Sequence, residues 1–196
     1  MIRPIKHRRA ARVIVLAAGR VLLECDTDPG VPGSAWWVTP GGGRDPAESA
    51  VAAAVRELHE EAGLELPAAR FSGPVASRRT IHGYSDRVLV QDEDFFVVEV
   101  EPFVPEPLRL TESELNRLVA LDWFEIDRLP AIVWPHNLAD IISGQAPMDL
   151  GEMFESTLAL TEADVTRVRL LPQRVAQHRG GGPHDEHRAD DGGQRG

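Results

Sequence analysis

One cysteine in 196 residues, Cys25, leaves the chain no intramolecular disulfide. The expected compartment is therefore a reducing one, the cytoplasm. Cys25 lies in an apolar, strand-like run and reads as core. No apolar run reaches the length of a membrane span, and no secretory signal pattern is present. Positive charge is also scarce: 21 Lys and Arg stand against 31 Asp and Glu, a formal net charge of −10. That balance argues against stable binding to nucleic acid or anionic membrane, since both need a basic surface. A small anionic substrate is compatible with it, because a bound cation reverses local charge. There is no internal repeat.

Hydrophobic residues make up 42% of the chain, enough for a core, and the length suits one domain with extensions. The most ordered pattern is GGGRDPAESAVAAAVRELHEEAGL, from Gly41 to Leu64. A glycine turn leads to Asp45, read as a helix N-cap, with Pro46 at the first helical position and Glu48 as the capping-box acid. Gly63 supplies the left-handed residue that ends the helix. At about 100° per residue, Val51, Val55, Leu58 and Ala62 share one stripe, with Glu57, Glu60 and Glu61 roughly opposite. Like charges at that spacing destabilise by about 0.2–0.5 kcal/mol. Anions near a helix C-terminus are disfavoured as well. Arg56 offsets part of this. One reading is a solvated acidic face. The other is a site for a hard divalent cation, which prefers oxygen ligands.

Gly42, five residues, Glu48, seven residues, then Arg56-Glu57-Leu58-His59-Glu60-Glu61-Ala62-Gly63-Leu64 resemble the Nudix box, with every fixed position filled. The flanking strand pattern resembles the family over roughly residues 10–145. The resemblance implies an α/β fold, the Nudix-type α/β/α sandwich with a mixed β-sheet. It also implies Mg²⁺- or Mn²⁺-dependent hydrolysis of a nucleoside diphosphate linked to another group. ADP-ribose, a dinucleoside polyphosphate, a nucleoside triphosphate and a nucleotide sugar all carry that linkage. On this reading Glu57, Glu60 and Glu61 hold the metal, and Glu60, Glu61 and Arg56 carry the catalysis. Glu48 caps the helix or joins the outer shell. Gly42 and Gly43 bring backbone N–H groups near a pyrophosphate, although tight turns alone would also explain them. The rival reading is a nucleotide or sugar-nucleotide sensor without useful turnover. The complete carboxylate set argues against it.

The rest of the chain divides around this core. Residues 1–9 form a basic segment; Arg3, Lys6, Arg8, Arg9 and Arg12 could attract a polyanion, but the segment reads as a lead-in. Gly19-Arg20 marks a hairpin between two apolar runs. Residues 26–35 are a loop. Of Trp36 and Trp37, one is expected to face the core and the other the opposite side, where it could stack on a base, though packing within the fold is the reading preferred for both. Residues 71–82 and 87–100 read as strands. Between and within them Arg78, Arg79, His82 and Arg87 make a basic island. The island reads equally as sheet residues paired with nearby acids or as contacts to substrate phosphates; Arg78 and Arg79 are the candidates for the second, since Arg binds phosphate bidentately. The resemblance also implies a glutamate outside the box acting as base or extra ligand, for which Glu93, Glu112 and Glu114 are candidates, although Glu114 reads first as the acid of a capping box with Thr111. Residues 121–126 read as a strand and 135–143 as the second packing helix. Residues 146–176 are a C-terminal extension with one helix, TEADVTRVRLL, that packs on the domain or on a second subunit of a homodimer. Residues 177–196 read as a disordered tail.

Overall fold

The computed structural model describes residues 2–108, 116–146 and 148–172. Strand β1 (Ile5–Ala17) turns into β2 (Arg20–Asp26) through Ala18 and Gly19. Both turn residues have positive φ, as a two-residue turn between twisted strands requires. β1 then serves as the spine of a mixed sheet. Its end pairs with β2, and Ala10–Arg12 take β4 (Gly41–Gly43) antiparallel. Its other edge runs parallel to β6 (Val88–Glu99), from Ile5 to Leu16. β5 (Ser72–Gly83) lies antiparallel on β6. β2 carries β3 (Trp36–Val38) and β7 (Ala120–Glu125), both antiparallel. The short β8 (Val133–Trp134) adds to β3, and β9 (Asp149–Phe154) adds parallel to β5. The order is β8-β3-β2-β1-β6-β5-β9, with β4 and β7 as branches.

Alternation along the strands sends apolar side chains to both faces, as a sheet covered on both sides demands. Ala11, Val13, Val15, Phe96 and Val98 pack under α1 (Ala50–Ala62) with Ala53, Ala54, Leu58 and Ala62. Ile14, Val21, Leu23 and Phe95 face the other way, against Leu138 and Ile141 of α2 (Leu138–Ile142). This is the expected sandwich. Each fully buried Leu, Ile or Phe stabilises it by about 1.5–3 kcal/mol relative to exposure. No helix among the described residues is long and apolar enough to cross a membrane.

Two boundaries differ from expectation. The basic segment is no lead-in: β1 begins at Ile5, because the Val88–Glu93 edge of β6 satisfies its backbone and Ile5 packs against the Ile81, Val88, Val90 cluster. The extension contributes a strand as well as a helix. Its helix α3 (Glu162–Arg169) is capped by a reciprocal Thr161–Asp164 box and sets Val168 on that same cluster. The extension therefore packs on its own chain's sheet. Glu112, Glu114 and the tail from 177 lie outside the described residues.

Candidate active site

Helix α1 starts one turn later than Asp45. Ser49 is the N-cap, its Oγ accepting from the Ala52 N–H at 3.2 Å. Residues 45–48 make a separate turn, closed by the Glu48 N–H to the Asp45 carbonyl. Glu48 does reach back to the Asp45 N–H, at 3.1 Å, as a capping acid would. Its carboxylate is chiefly held by Arg56, with Nε at 3.0 Å and Nη2 at 2.9 Å. Those bonds hold Glu48 below the usual carboxylate range. Gly63 ends the helix in the left-handed region at φ 71°, its N–H on the His59 carbonyl.

Arg56 is the hub of the acidic face. Nη1 donates to Glu57 at 2.8 Å and to Glu60 at 3.1 Å, while Nη2 also donates to the Gly43 carbonyl at 2.9 Å. One guanidinium thus ties the helix to the glycine strand and screens two carboxylates. The acids do not share one solvated face. Glu57 and Glu61 are buried, whereas Glu60 is half-buried. Glu57 and Glu61 stand one turn apart against the glycine strand.

The glycines make that approach possible. Gly41 has φ 135°, and a Cβ there would meet the Ala11 carbonyl oxygen at 2.2 Å. Its N–H donates to Glu61 at 2.7 Å. A Cβ on Gly42 would stand 2.7 Å from the Glu57 carboxylate. The sequence reading of a glycine turn is corrected here, since Gly41–Gly43 form a strand paired with β1.

A fourth carboxylate completes the cluster, and sequence reasoning missed it. Glu24 on β2 is buried beside Glu61. Burial, and then the charge of Glu61, push the Glu24 carboxyl well up. The signal was available: Glu24 is the lone acid in the run VLLEC. Arg12 lies on the far side of Glu24, at 3.4 Å, and also donates to the Thr39 and Gly41 carbonyls and to Glu93. Glu93 is not placed to act as a base. Burial would raise its pKa, but Arg78 and then Arg12 hold it down to about 2, and it does not line the cleft.

These residues line one cleft of about 360 Å³. Glu24, Glu57, Glu60, Glu61, Arg56 and Gly41–Gly43 form one part; Lys6, Arg8, Tyr84, Arg87 and Arg117 form another. Arg78 and Arg79 are absent from its lining. Arg78 is buried between Glu93, at 2.6 Å, and Glu155. Arg79 forks onto Asp92 at 2.7 and 2.9 Å and bonds the Pro172 carbonyl. Both side chains are inside, where internal carboxylates take their charge. His82 is also buried, among Trp36, Tyr84 and Trp134, and burial holds it down to about 3. Of the island, only Arg87 reaches the cleft. Neither tryptophan is free: Trp36 sits in that aromatic cluster, and Trp37 packs edge-on to Phe124 at 4.6 Å.

Among the described residues, no three His, Cys, Asp or Glu side chains converge as a ready-made ligand set. Arg56 stands among the box carboxylates in a cation's electrostatic role. The donors nonetheless suit a hard divalent ion. They are all carboxylate oxygens, and Glu24, Glu57, Glu60 and Glu61 line one cleft.

A mixed sheet packed between helices carries, on one helix and the strands beside it, a cleft lined by Glu24, Glu57, Glu60 and Glu61 against a glycine strand. Residues 6–143 match the family model described as NUDIX domain, so the chain belongs to the Nudix family and is a hydrolase of that family. Similar solved structures include a MutT Nudix hydrolase from Burkholderia pseudomallei, 22% identical over 72% of this chain and 99% of that one, with a TM-score of 0.46. The E. coli ORF135 protein is 27% identical, covering 72% and 89%, with a TM-score of 0.45. A C. elegans Ap4A hydrolase in a binary complex is 17% identical, covering 70% and 93%, with a TM-score of 0.47.

Proposed function

We propose that the chain hydrolyses the diphosphate linkage of a nucleoside diphosphate joined to a second group, with Mg²⁺ or Mn²⁺ held by Glu57, Glu60 and Glu61. The observation that supports this is the single cleft in which those acids, Glu24 and the glycine strand meet a cationic wall. When bound, the ion supplies charge screening for the diphosphate and acidifies a coordinated water. The protein's own groups do the rest. Arg56, fixed by Glu48, orients Glu57 and Glu60. The Gly41 N–H holds Glu61 in place. Gly42 and Gly43 keep the strand bare, so that phosphate oxygens approach the backbone. Glu60 or Glu61 takes the proton of the attacking water. Glu24 stands buried beside Glu61, with the Arg12 guanidinium 3.4 Å away to offset its charge. The products are a nucleoside monophosphate and the phosphorylated remainder.

Release of monophosphate from a panel of nucleoside diphosphate derivatives, with Mg²⁺ or with chelator, tests this reading. Glu60→Gln and Glu61→Gln should each lower kcat by at least about a hundredfold, the scale of losing general acid–base help. Both proteins should stay folded. Near-normal turnover in both, at saturating Mg²⁺, would sink the assignment. Tight nucleotide binding with no turnover would favour a sensor instead.

A further inference from the structure

The acidic part of the cleft accounts for one diphosphate. The cationic part is in excess of that need. Lys6 and Arg8 are two apart on β1 and so share a face. Arg87 lies just before β6 and Arg117 just before β7. All four line the cleft. Arg8 links the two parts: its Nη1 lies 3.1 Å from where a Gly43 Cβ would stand, and its guanidinium feels both Glu57 and Tyr84. Lys6 is repelled by Arg8 first, and also by Arg87 and Arg117, which lowers its pKa. Arg87 and Arg117 hang over the Tyr84 ring at 4.5 and 4.4 Å.

Compensation is poor. Arg8 Nε donates to the neutral Gln91 side chain. Among the described residues Lys6 and Arg8 make no ion pair. Arg87 and Arg117 share Asp86, at 2.8 and 3.9 Å, and that side chain is 60% exposed. Asp26 also lines the cleft and, although burial pushes its pKa up, it attracts Arg117, Arg12 and Arg87; one carboxylate beside this wall leaves cationic charge in excess. A chain of net charge −10 thus keeps four mutually repelling cations in one cleft. Such a wall suits a polyanion and is poorly matched to a neutral sugar.

We propose that the half of the substrate beyond the cleaved diphosphate carries further phosphate, held by Lys6, Arg8, Arg87 and Arg117. This rests on diphosphate hydrolysis at the acidic part. The phosphate is either more of the chain, as in a dinucleoside tetraphosphate, or an ester on the second group.

Lys6 is the only lysine in the sequence and is exposed, so amine-selective acetylation read by mass spectrometry reports on it directly. Inorganic tripolyphosphate, in chelator without divalent ion, should slow Lys6 acetylation at least about fivefold, as a bound polyanion would. Sodium chloride at the same ionic strength should not. The second readout is selectivity among three Mg²⁺-dependent substrates: a dinucleoside tetraphosphate, a nucleoside diphosphate sugar bearing a phosphate ester, and one whose sugar is neutral. Lys6→Ala and Arg8→Ala should lower kcat/KM for a phosphate-rich substrate relative to the neutral one by about tenfold, with Arg8→Lys restoring part. Which phosphate-rich substrate responds tells chain phosphate from ester. An unprotected Lys6, or a selectivity ratio unchanged in both alanine variants, overturns the inference even if hydrolysis is strong. Protection of Lys6 by tripolyphosphate in a protein that turns over nothing would keep the anion site and count against diphosphate hydrolysis.

Discussion

Arg78 is 2% exposed, and its guanidinium is shared between two buried carboxylates, Glu93 and Glu155. Removing one member of such a group leaves charge stranded in the interior. Arg78→Ala should therefore cost about 3–5 kcal/mol of stability, measured by urea unfolding. A loss below about 1 kcal/mol, with KM raised instead, would return Arg78 to the substrate. The sequence could not separate these roles. Arg78 and Arg79 stand in a strand with no sign of what lies opposite, and their acids come from β6 and from Glu155, far along the chain. Glu57, Glu60, Glu61, Arg56 and Glu48 were legible because they fall within one helix and its approach. Glu24 showed only as a lone acid in an apolar run, and its place beside Glu61 came from the β1–β2 hairpin and the packing of α1.

At the scale of elements, local pattern carried further. The hairpin, β5, β6, β7 and both sandwich helices follow from apolar periodicity and turn residues, which act over a few positions. Besides the short β4 and β8, two longer stretches escaped. The basic start of β1 is polar, and β6 supplies its reason to be a strand. β9 is DLGEMF, too mixed to announce itself, and it forms by adding to the edge of β5. That edge needs cover, since bare strand backbone invites pairing with other chains. β9 and the residues after it also bring Glu155 to Arg78, and α3 with its cap clamps Arg3, whose Nη2 meets Asp164 at 2.6 Å. A chain ending at Ala146 should thus melt several degrees lower and aggregate on storage, followed by calorimetry and light scattering. A melting temperature matching the full chain would mean that β9 only decorates the sheet.

The whole molecule combines a neutral, buried histidine with buried ion pairs, and this sets its response to acid. His82 is held to about 3 from an ordinary 6.5, first by burial and then by Arg117 and Arg87. Between those values the unfolded chain binds a proton that the folded chain refuses, so stability falls as pH drops from 6.5. Glu93, held near 2, adds to the fall below its ordinary 4.5. Glu155, pushed up by burial, works the other way, since its protonated form is favoured in the folded state. The wild type should lose stability relative to His82→Phe on acidification, by up to about 1.4 kcal/mol per pH unit within the His82 window. Parallel stability curves would show that His82 titrates alike in both states. The central claim, however, concerns the carboxylates of α1 and β2, and equilibrium Mn²⁺ binding followed by electron paramagnetic resonance tests it most directly. The wild type should bind Mn²⁺ saturably, and Glu57→Gln, Glu60→Gln and Glu61→Gln should each weaken binding by at least about tenfold, or 1.4 kcal/mol. Unchanged Mn²⁺ affinity in all three variants would contradict a metal site on this helix.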